Sequence, residues 1–337
     1  MKFGFLIKIL QYIGLISFPI ILCLFLMEIV LRTGKFDGED NPAPVWIPER
    51  FKAINRQITA QNREIAKHNT FGFNDRERSR HKTPQRSRIA ILGDSFVWGG
   101  GVPYDVIWSH KFEKLLNDRF PNIEVLSWGI SGWSTLDELN FLKTHGKDYE
   151  IDLLIVDFTT NDPDLGNYPQ QYLNFGKSLW FAPVKKLFPL SSQFIRSYVN
   201  NVYERYFTKD LGYFNWENKL YEKDNLERYA KVLSDFSQAC RNLNIDVLFV
   251  LTPNNYHHIF REKFDKIIPM LTESHLPYLD LYPAVYQKLH HLPYRKLWAN
   301  LADAHPGDMV TEIYKDEVFS FLDTSGTLKL LNEKYKR

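Results

Sequence analysis

Four short stretches carry the residues able to do covalent chemistry. "ILGDSFVWGGGV", residues 91–102, offers a hydroxyl, Ser95, between an apolar run and three successive glycines. A serine hydroxyl is a weak nucleophile until a base takes its proton. "LADAHPGD", residues 301–308, offers such a base, His305, with a carboxylate, Asp303, two residues before it. Nucleophile, base and orienting carboxylate are the parts that acyl transfer through a triad requires. "SWGISGWST", residues 127–135, holds Gly129 and Gly132, either of which permits close approach to a backbone N–H. "DFTTNDPD", residues 157–164, holds Asn161, a neutral side-chain donor. Donors of these two kinds stabilise an oxyanion. Singly, each stretch also has an ordinary explanation: Asp94 and Ser95 cap a turn, Gly-Ser turns are common, and Asn161 makes an Asx-turn into Pro163.

The chemistry requires these stretches to meet, so the elements between them matter. "RIAIL", "IEVLSW", "IDLLIVDF" and "IDVLFVL" are apolar, β-branched runs, and "LPYLDL" is a candidate fifth. Continuous runs of this kind suit strands buried on both faces. Helical periodicity is expected near 106–119, over 135–146 with Ser134 or Thr135 as N-cap, and near 225–243 and 259–274. A last amphipathic helix, "DMVTEIYKDEVFSFL", follows His305. Strand–helix alternation predicts a parallel sheet covered by helices, with ligands at the carboxyl ends of the strands. Ser95, Gly129 and Asn161 each follow a strand at that edge. A helix starting near Ser95 is expected to favour an anion there through its free N–H groups and dipole.

In this order the stretches resemble the SGNH/GDSL hydrolase superfamily, from about Arg88 to about Leu322 with a gap in the middle. The resemblance implies a flavodoxin-like three-layer α/β/α fold with a central parallel sheet of about five strands. It places the nucleophile on Ser95 of "LGDSF", the base on His305 before Pro306, and the orienting carboxylate on Asp303. It places the oxyanion donors on the N–H of Ser95, the N–H of Gly129 and the amide of Asn161. Two departures stand out. The family's Asp usually lies three residues before the His, where this chain has Ala302; Asp303 then requires a backbone bend, expected from Pro306 and Gly307. The asparagine block often carries a glycine, and here reads "TTND". An N-terminal apolar helix followed by Glu28 and Arg32, and the element "NTFGF" at residues 69–73, are similar to membrane-anchored bacterial members.

The anchor is also legible directly. "ILQYIGLISFPIILCLFLM", residues 9–27, matches the roughly 20 apolar residues of one bilayer crossing. Lys2 and Lys8 precede it, while Arg32 and Lys35 after it are diluted by Glu28, Asp37 and Glu39. That balance predicts an N-terminus inside and a single-pass protein of the cytoplasmic membrane, its body periplasmic or extracellular. A cleaved signal peptide is the alternative, though no small-residue pair ends the run. The expected organisation is an anchor at 1–33, a linker or N-terminal extension at 34–87 with one helix near 49–67, a hydrolase-like domain at 88–323 with an aromatic-rich insertion at about 163–225, and a polar tail at 324–337.

A net charge of +2 and no long basic stripe argue against a nucleic-acid binder. Cys23 and Cys240 are read as packing residues. The pairs His257–His258 and His290–His291 diverge on any regular element, so no metal and no cofactor is called for. The insertion aromatics Trp180, Phe181, Tyr198, Tyr203, Tyr206, Phe207 and Trp216 suggest either a lid or, for most of them, the insertion's own core. The expected activity is a serine-dependent ester hydrolase or O-acyltransferase on an acylated, foremost acetylated, cell-surface glycan. A lipid esterase or lysophospholipase, and a non-catalytic polysaccharide-assembly protein of the same fold, are the alternatives.

Overall fold

The apolar runs pair side by side. The computed structural model describes residues 2–32, 49–66, 69–168, 182–207, 212–300 and 303–334. β1 (Ser87–Gly93), β2 (Ile123–Gly129), β3 (Leu153–Phe158), β4 (Asp246–Leu251) and β5 (Tyr278–Asp280) form one parallel sheet in the order β2-β1-β3-β4-β5. A short antiparallel pair, β6 (Trp298–Asn300) and β7 (Asp303–Pro306), stands apart. The helices in chain order are α1 (Lys2–Arg32), α2 (Glu49–Ile65), α3 (Ser95–Trp98), α4 (Trp108–Arg119), α5 (Thr135–Thr144), α6 (Ala182–Leu187), α7 (Pro189–Phe207), α8 (Tyr213–Leu220), α9 (Lys223–Leu243), α10 (His258–Glu273), α11 (Tyr282–Leu289), α12 (Asp308–Thr324) and α13 (Thr327–Glu333).

β1 and β3 are buried along their whole length, as strands covered on both faces must be. Alternation sends Ile89, Ile91, Ile155 and Val250 toward α4, α11, α12 and α13. It sends Ala90, Leu92, Val156 and Phe249 toward α5, α9 and α10. This is the expected three-layer α/β/α fold with the flavodoxin strand order, which opens a crevice beyond the carboxyl ends of β1 and β3.

Three stretches differ from their expected descriptions. The stretch 34–87 is more than a linker. Beyond α2, Phe73 of "NTFGF" is buried against Trp128, Trp133 and Phe141. Asp75 accepts the Ser127 N–H of β2 at 3.0 Å and pairs with Arg78, which also holds Glu113. β2 is an edge strand, and this loop covers part of its open side. The polar tail at 324–337 contains α13, whose Leu328 and Leu331 are buried. In the insertion, Trp216 is buried, but Tyr198, Tyr203, Tyr206 and Phe207 are exposed rather than forming a core; Trp180 and Phe181 lie outside the described residues.

α1 contains one stretch, Gly14–Arg32, long and apolar enough to cross a membrane, with a hydropathy of 2.5. Within Gly14–Arg32 most apolar side chains are exposed, and one face of the last turns buries Glu28 and Leu31. Cys23 is exposed on this helix and so is not a packing residue; Cys240 is buried.

Candidate active site

β1 delivers Ser95 to the crevice. Asp94 follows the strand and caps α3, its Oδ1 accepting the Phe96 N–H at 2.8 Å. Ser95 is the first residue of α3 and is buried. α3 is a single turn of four residues, so no macrodipole of consequence acts on Ser95, contrary to the sequence expectation; what the turn supplies is individual free N–H groups.

β7 brings the base. His305 Nε2 lies 2.9 Å from Ser95 Oγ, and His305 Nδ1 is hydrogen-bonded to Asp303 Oδ1. The −2 spacing works without the expected bend. β7 is extended, and on an extended strand residues i and i+2 face the same side. The His305 N–H also donates to Asp303 Oδ1 at 3.1 Å, which fixes the carboxylate beside the ring. With Nδ1–H donating to Asp303, the Nε2 lone pair is free to accept the serine proton. The imidazole keeps 34% of its side-chain surface exposed, so the ring is reachable from the crevice.

Two of the three glycines of the opening stretch, Gly100 and Gly101, form the floor under this pair, while Gly99 packs against Ile107. A Cβ on Gly100 would stand 3.1 Å from the His305 ring, and one on Gly101 2.8 Å from the Asp303 carboxyl. Gly101 also sits at φ +72°, a conformation that disfavours a side chain. Only a bare backbone lets β7 lie this close to α3.

The second oxygen of Asp303 has a partner that sequence reasoning missed. Asn55 of α2 donates from Nδ2 to Asp303 Oδ2 at 2.7 Å. Asn300 of β6 donates to Asn55 Oδ1 and to the Gly101 carbonyl, each at 2.7 Å. No local signal marks Asn55: it is an ordinary polar residue of an amphipathic helix, 248 positions from the carboxylate it holds.

Asn161 follows β3 and reaches the same crevice, its Nδ2 donating to Asp94 Oδ2 at 3.2 Å. Ser95 Oγ lies 3.1 Å from that same oxygen. Gly129 is placed otherwise than expected. The Ile130 N–H bonds to Gly93 O at 3.2 Å, so alternation turns the Gly129 N–H to the outer edge of β2. A Cβ on Gly129 would collide with the backbone of Val97 and Trp98. Gly129 is therefore a close-packing glycine between β2 and α3. Gly132, at φ +85°, is exposed in the following loop, whose Trp133 carbonyl lies 3.5 Å from Asn161 Nδ2.

The electrostatics follow from burial and these partners. Burial pushes the His305 pKa down, but the hydrogen bond and charge of Asp303, with the charge of Asp94, outweigh it and leave the pKa raised. Burial pushes Asp303 up, yet the His305 contacts and the Asn55 bond leave its pKa lowered. Asp94 is raised, chiefly by burial, against the hydrogen bonds it accepts. Among the described residues no group of His, Cys, Asp and Glu side chains is arranged to hold a metal ion.

No family model matches the chain, and no curated protein matches it. Several solved structures do. An α/β hydrolase from the metagenome of Lake Arreo, Spain, is 14% identical, with 73% of this chain and 98% of that chain covered and a TM-score of 0.44. A catalytic mutant of an acetylxylan esterase from Geobacillus stearothermophilus is 13% identical over 73% of this chain and 96% of that chain, TM-score 0.44. A two-domain esterase active on acetylated mannans is 13% identical over 83% of this chain and 54% of that chain, TM-score 0.42.

Proposed function

We propose that the chain is a serine-dependent ester hydrolase or O-acyltransferase of the SGNH/GDSL type, acting through an acyl-enzyme on O-acyl groups, acetyl foremost, of a cell-surface glycan. The observation that carries this reading is the connected chain Ser95 Oγ–His305 Nε2, His305 Nδ1–Asp303. A binding protein has no need of a nucleophile joined to a base and an orienting carboxylate.

Ser95 Oγ attacks the acyl carbon while its proton passes to Nε2. The carbonyl oxygen becomes an oxyanion, held by the Ser95 N–H and the Asn161 amide, with the Gly132 N–H in the role first expected of Gly129. One such donor contributes about 3–4 kcal/mol to the barrier. Nε2–H then protonates the departing sugar oxygen as the C–O bond breaks, releasing the sugar hydroxyl and leaving acyl-Ser95. Water or an acceptor hydroxyl, deprotonated by the same nitrogen, releases the acyl group. Asp303 holds the ring and stabilises the imidazolium; Asn55 holds Asp303, and Asn300 holds Asn55. The apolar helix and the preceding lysines support an N-terminus inside and a catalytic body outside the cytoplasmic membrane.

The test is Ser95→Ala in the full-length protein, assayed on a short-chain aryl ester, an acetylated polysaccharide and an acyl lipid. Turnover should fall by about 10⁴-fold or more at an unchanged unfolding temperature. Equal activity with and without the hydroxyl overturns the assignment, and turnover of the acyl lipid alone replaces the glycan with a lipid ester.

A further inference from the structure

The insertion is fastened to the end of the apolar helix. Glu28, in the last turns of α1, is 5% exposed. It accepts the Leu190 N–H at 3.1 Å and the Ser191 N–H at 2.9 Å, both in the first turn of α7. The Ser191 hydroxyl lies 3.0 Å from Glu28 Oε2 and 3.0 Å from the Leu24 carbonyl, one turn deeper in the apolar stretch. Arg32 pairs with the same carboxylate at 3.2 Å. A carboxylate at the edge of a bilayer is costly unless it is satisfied. Here it is satisfied by N–H groups that have no partner within their own helix. The contact sets the depth of α7: its first turn sits where the apolar run of α1 ends.

Exposed large apolar side chains gather on the elements so placed. Leu187 is 70% exposed and lies two residues before α7; Tyr206 and Phe207, at the other end of α7, are 71% and 72% exposed. Tyr203 is exposed on the same side of α7 as Tyr206 and Phe207, and Tyr198 is exposed on the opposite side. Lys185, Lys186 and Arg196 are exposed on the same two helices. Tyrosines and cations beside apolar residues suit the headgroup boundary, where rings enter the acyl edge and cations meet phosphates.

We propose that α6 and α7 lie on the surface of the bilayer that α1 crosses, on the side of the catalytic body, and that Glu28 is the clamp holding them there. The occupant of this face is the lipid headgroup layer. The inference rests on reading α1 as a membrane anchor. It gives the exposed aromatics of the insertion a role that neither a substrate lid nor a packed core provides, and it holds the body against the membrane.

The experiment uses the full chain in nanodiscs of phosphatidylcholine and phosphatidylglycerol, with Cys23→Ala as background. Spin labels go singly on Leu187→Cys, Tyr203→Cys and Phe207→Cys, with Ile20→Cys on α1 and Tyr286→Cys on the body as references. Collisions with oxygen should exceed those with a water-soluble nickel chelate at 20, 187, 203 and 207, and the reverse should hold at 286. Lipid signals at 20 with aqueous signals at 187, 203 and 207 overturn the docking and leave the anchor standing. Aqueous signals at all positions remove the anchor reading and the docking with it. Adding Glu28→Ala should move the label at 187 into water while the label at 20 stays in lipid and the thermal transition is kept. A label at 187 indifferent to Glu28→Ala overturns the clamp.

Discussion

Asp303 and His305 show how a spacing that departs from a family pattern is rescued by secondary structure. Three residues of separation suit a turn; two suit a strand, and β7 is a strand. The raised His305 pKa has a consequence of definite sign. The ring acts as a base only when neutral, so kcat/KM should rise with pH through an acidic limb centred above the ordinary histidine value of about 6.5. Asp303→Asn removes the charge that raises the ring. The limb should move to lower pH, and kcat should fall by about 10⁴-fold through the wrong tautomer. An unmoved limb in the pH–rate profile gives the orienting role to another group. Asn55 holds the far oxygen of that carboxylate, so Asn55→Ala should lower kcat by about 10- to 100-fold with little change in KM, because a small misplacement of the ring is enough. Rescue by Asn55→Gln is not expected, since the longer side chain overshoots the 2.7 Å bond. Ser95, His305, Asp303 and Asn161 each lie beside a strand or block recognisable in the sequence, and the structure brings the four side chains to one crevice. For the third donor the sequence offers two glycines three apart, and the structure packs Gly129 against α3 while Gly132 stays exposed. Asn55 was illegible because its partner is distant in sequence.

At the scale of elements, the ends of β3 and β4 are tied to α4 through one buried acid. Asp157 is fully buried, accepts the Trp108 Nε1–H at 2.6 Å and is hydrogen-bonded to the Thr252 hydroxyl. That hydroxyl also lies 3.1 Å from the Phe158 carbonyl, and it has one proton. A protonated Asp157 resolves the conflict: its O–H donates to Thr252, whose own proton goes to Phe158. Burial, with the charge of Asp94, pushes the Asp157 pKa up to about 8. The folded state therefore favours the neutral acid. Its contribution to stability is full below the unfolded pKa of about 3.9 and is lost as pH rises toward 8. Asp157→Asn cannot ionise and keeps both hydrogen bonds. Its stability relative to the parent should climb between pH 5 and pH 8, by up to about 1.4 kcal/mol per pH unit. Denaturant melts at these pH values check this, and parallel curves for the two proteins contradict it. The strands and the helices α4, α5, α9 and α10 were legible because apolar periodicity is a local property. The β6–β7 pair was not, because its short polar strands, three and four residues long, carry no such pattern.

At the scale of the whole molecule, the sheet order sets the function. The reversal between β1 and β3 puts Ser95 and Asn161 on the two walls of one crevice, and the hairpin after β5 closes it with His305. What the sequence left hidden is the contribution of polar stretches to this assembly. Residues 69–86 and α13 looked solvated, yet Asp75, Arg78 and Leu331 hold them to the body through partners far along the chain, including a bond from the Ser87 hydroxyl to the Leu331 carbonyl. Long-range polar contacts of this kind leave no periodic mark. The proposed reaction turns on one bond, the ester between an acyl group and Ser95. The direct measurement is rapid-quench intact-mass analysis of the full-length protein mixed with an activated acetyl ester, followed by peptide mapping. A single acetyl adduct on the peptide holding Ser95, formed within one turnover, decaying in buffer or on adding an acceptor alcohol, and absent in His305→Ala, is the predicted result. Turnover with no adduct on Ser95 at any quench time, or an adduct on another residue that decays at the turnover rate, contradicts it.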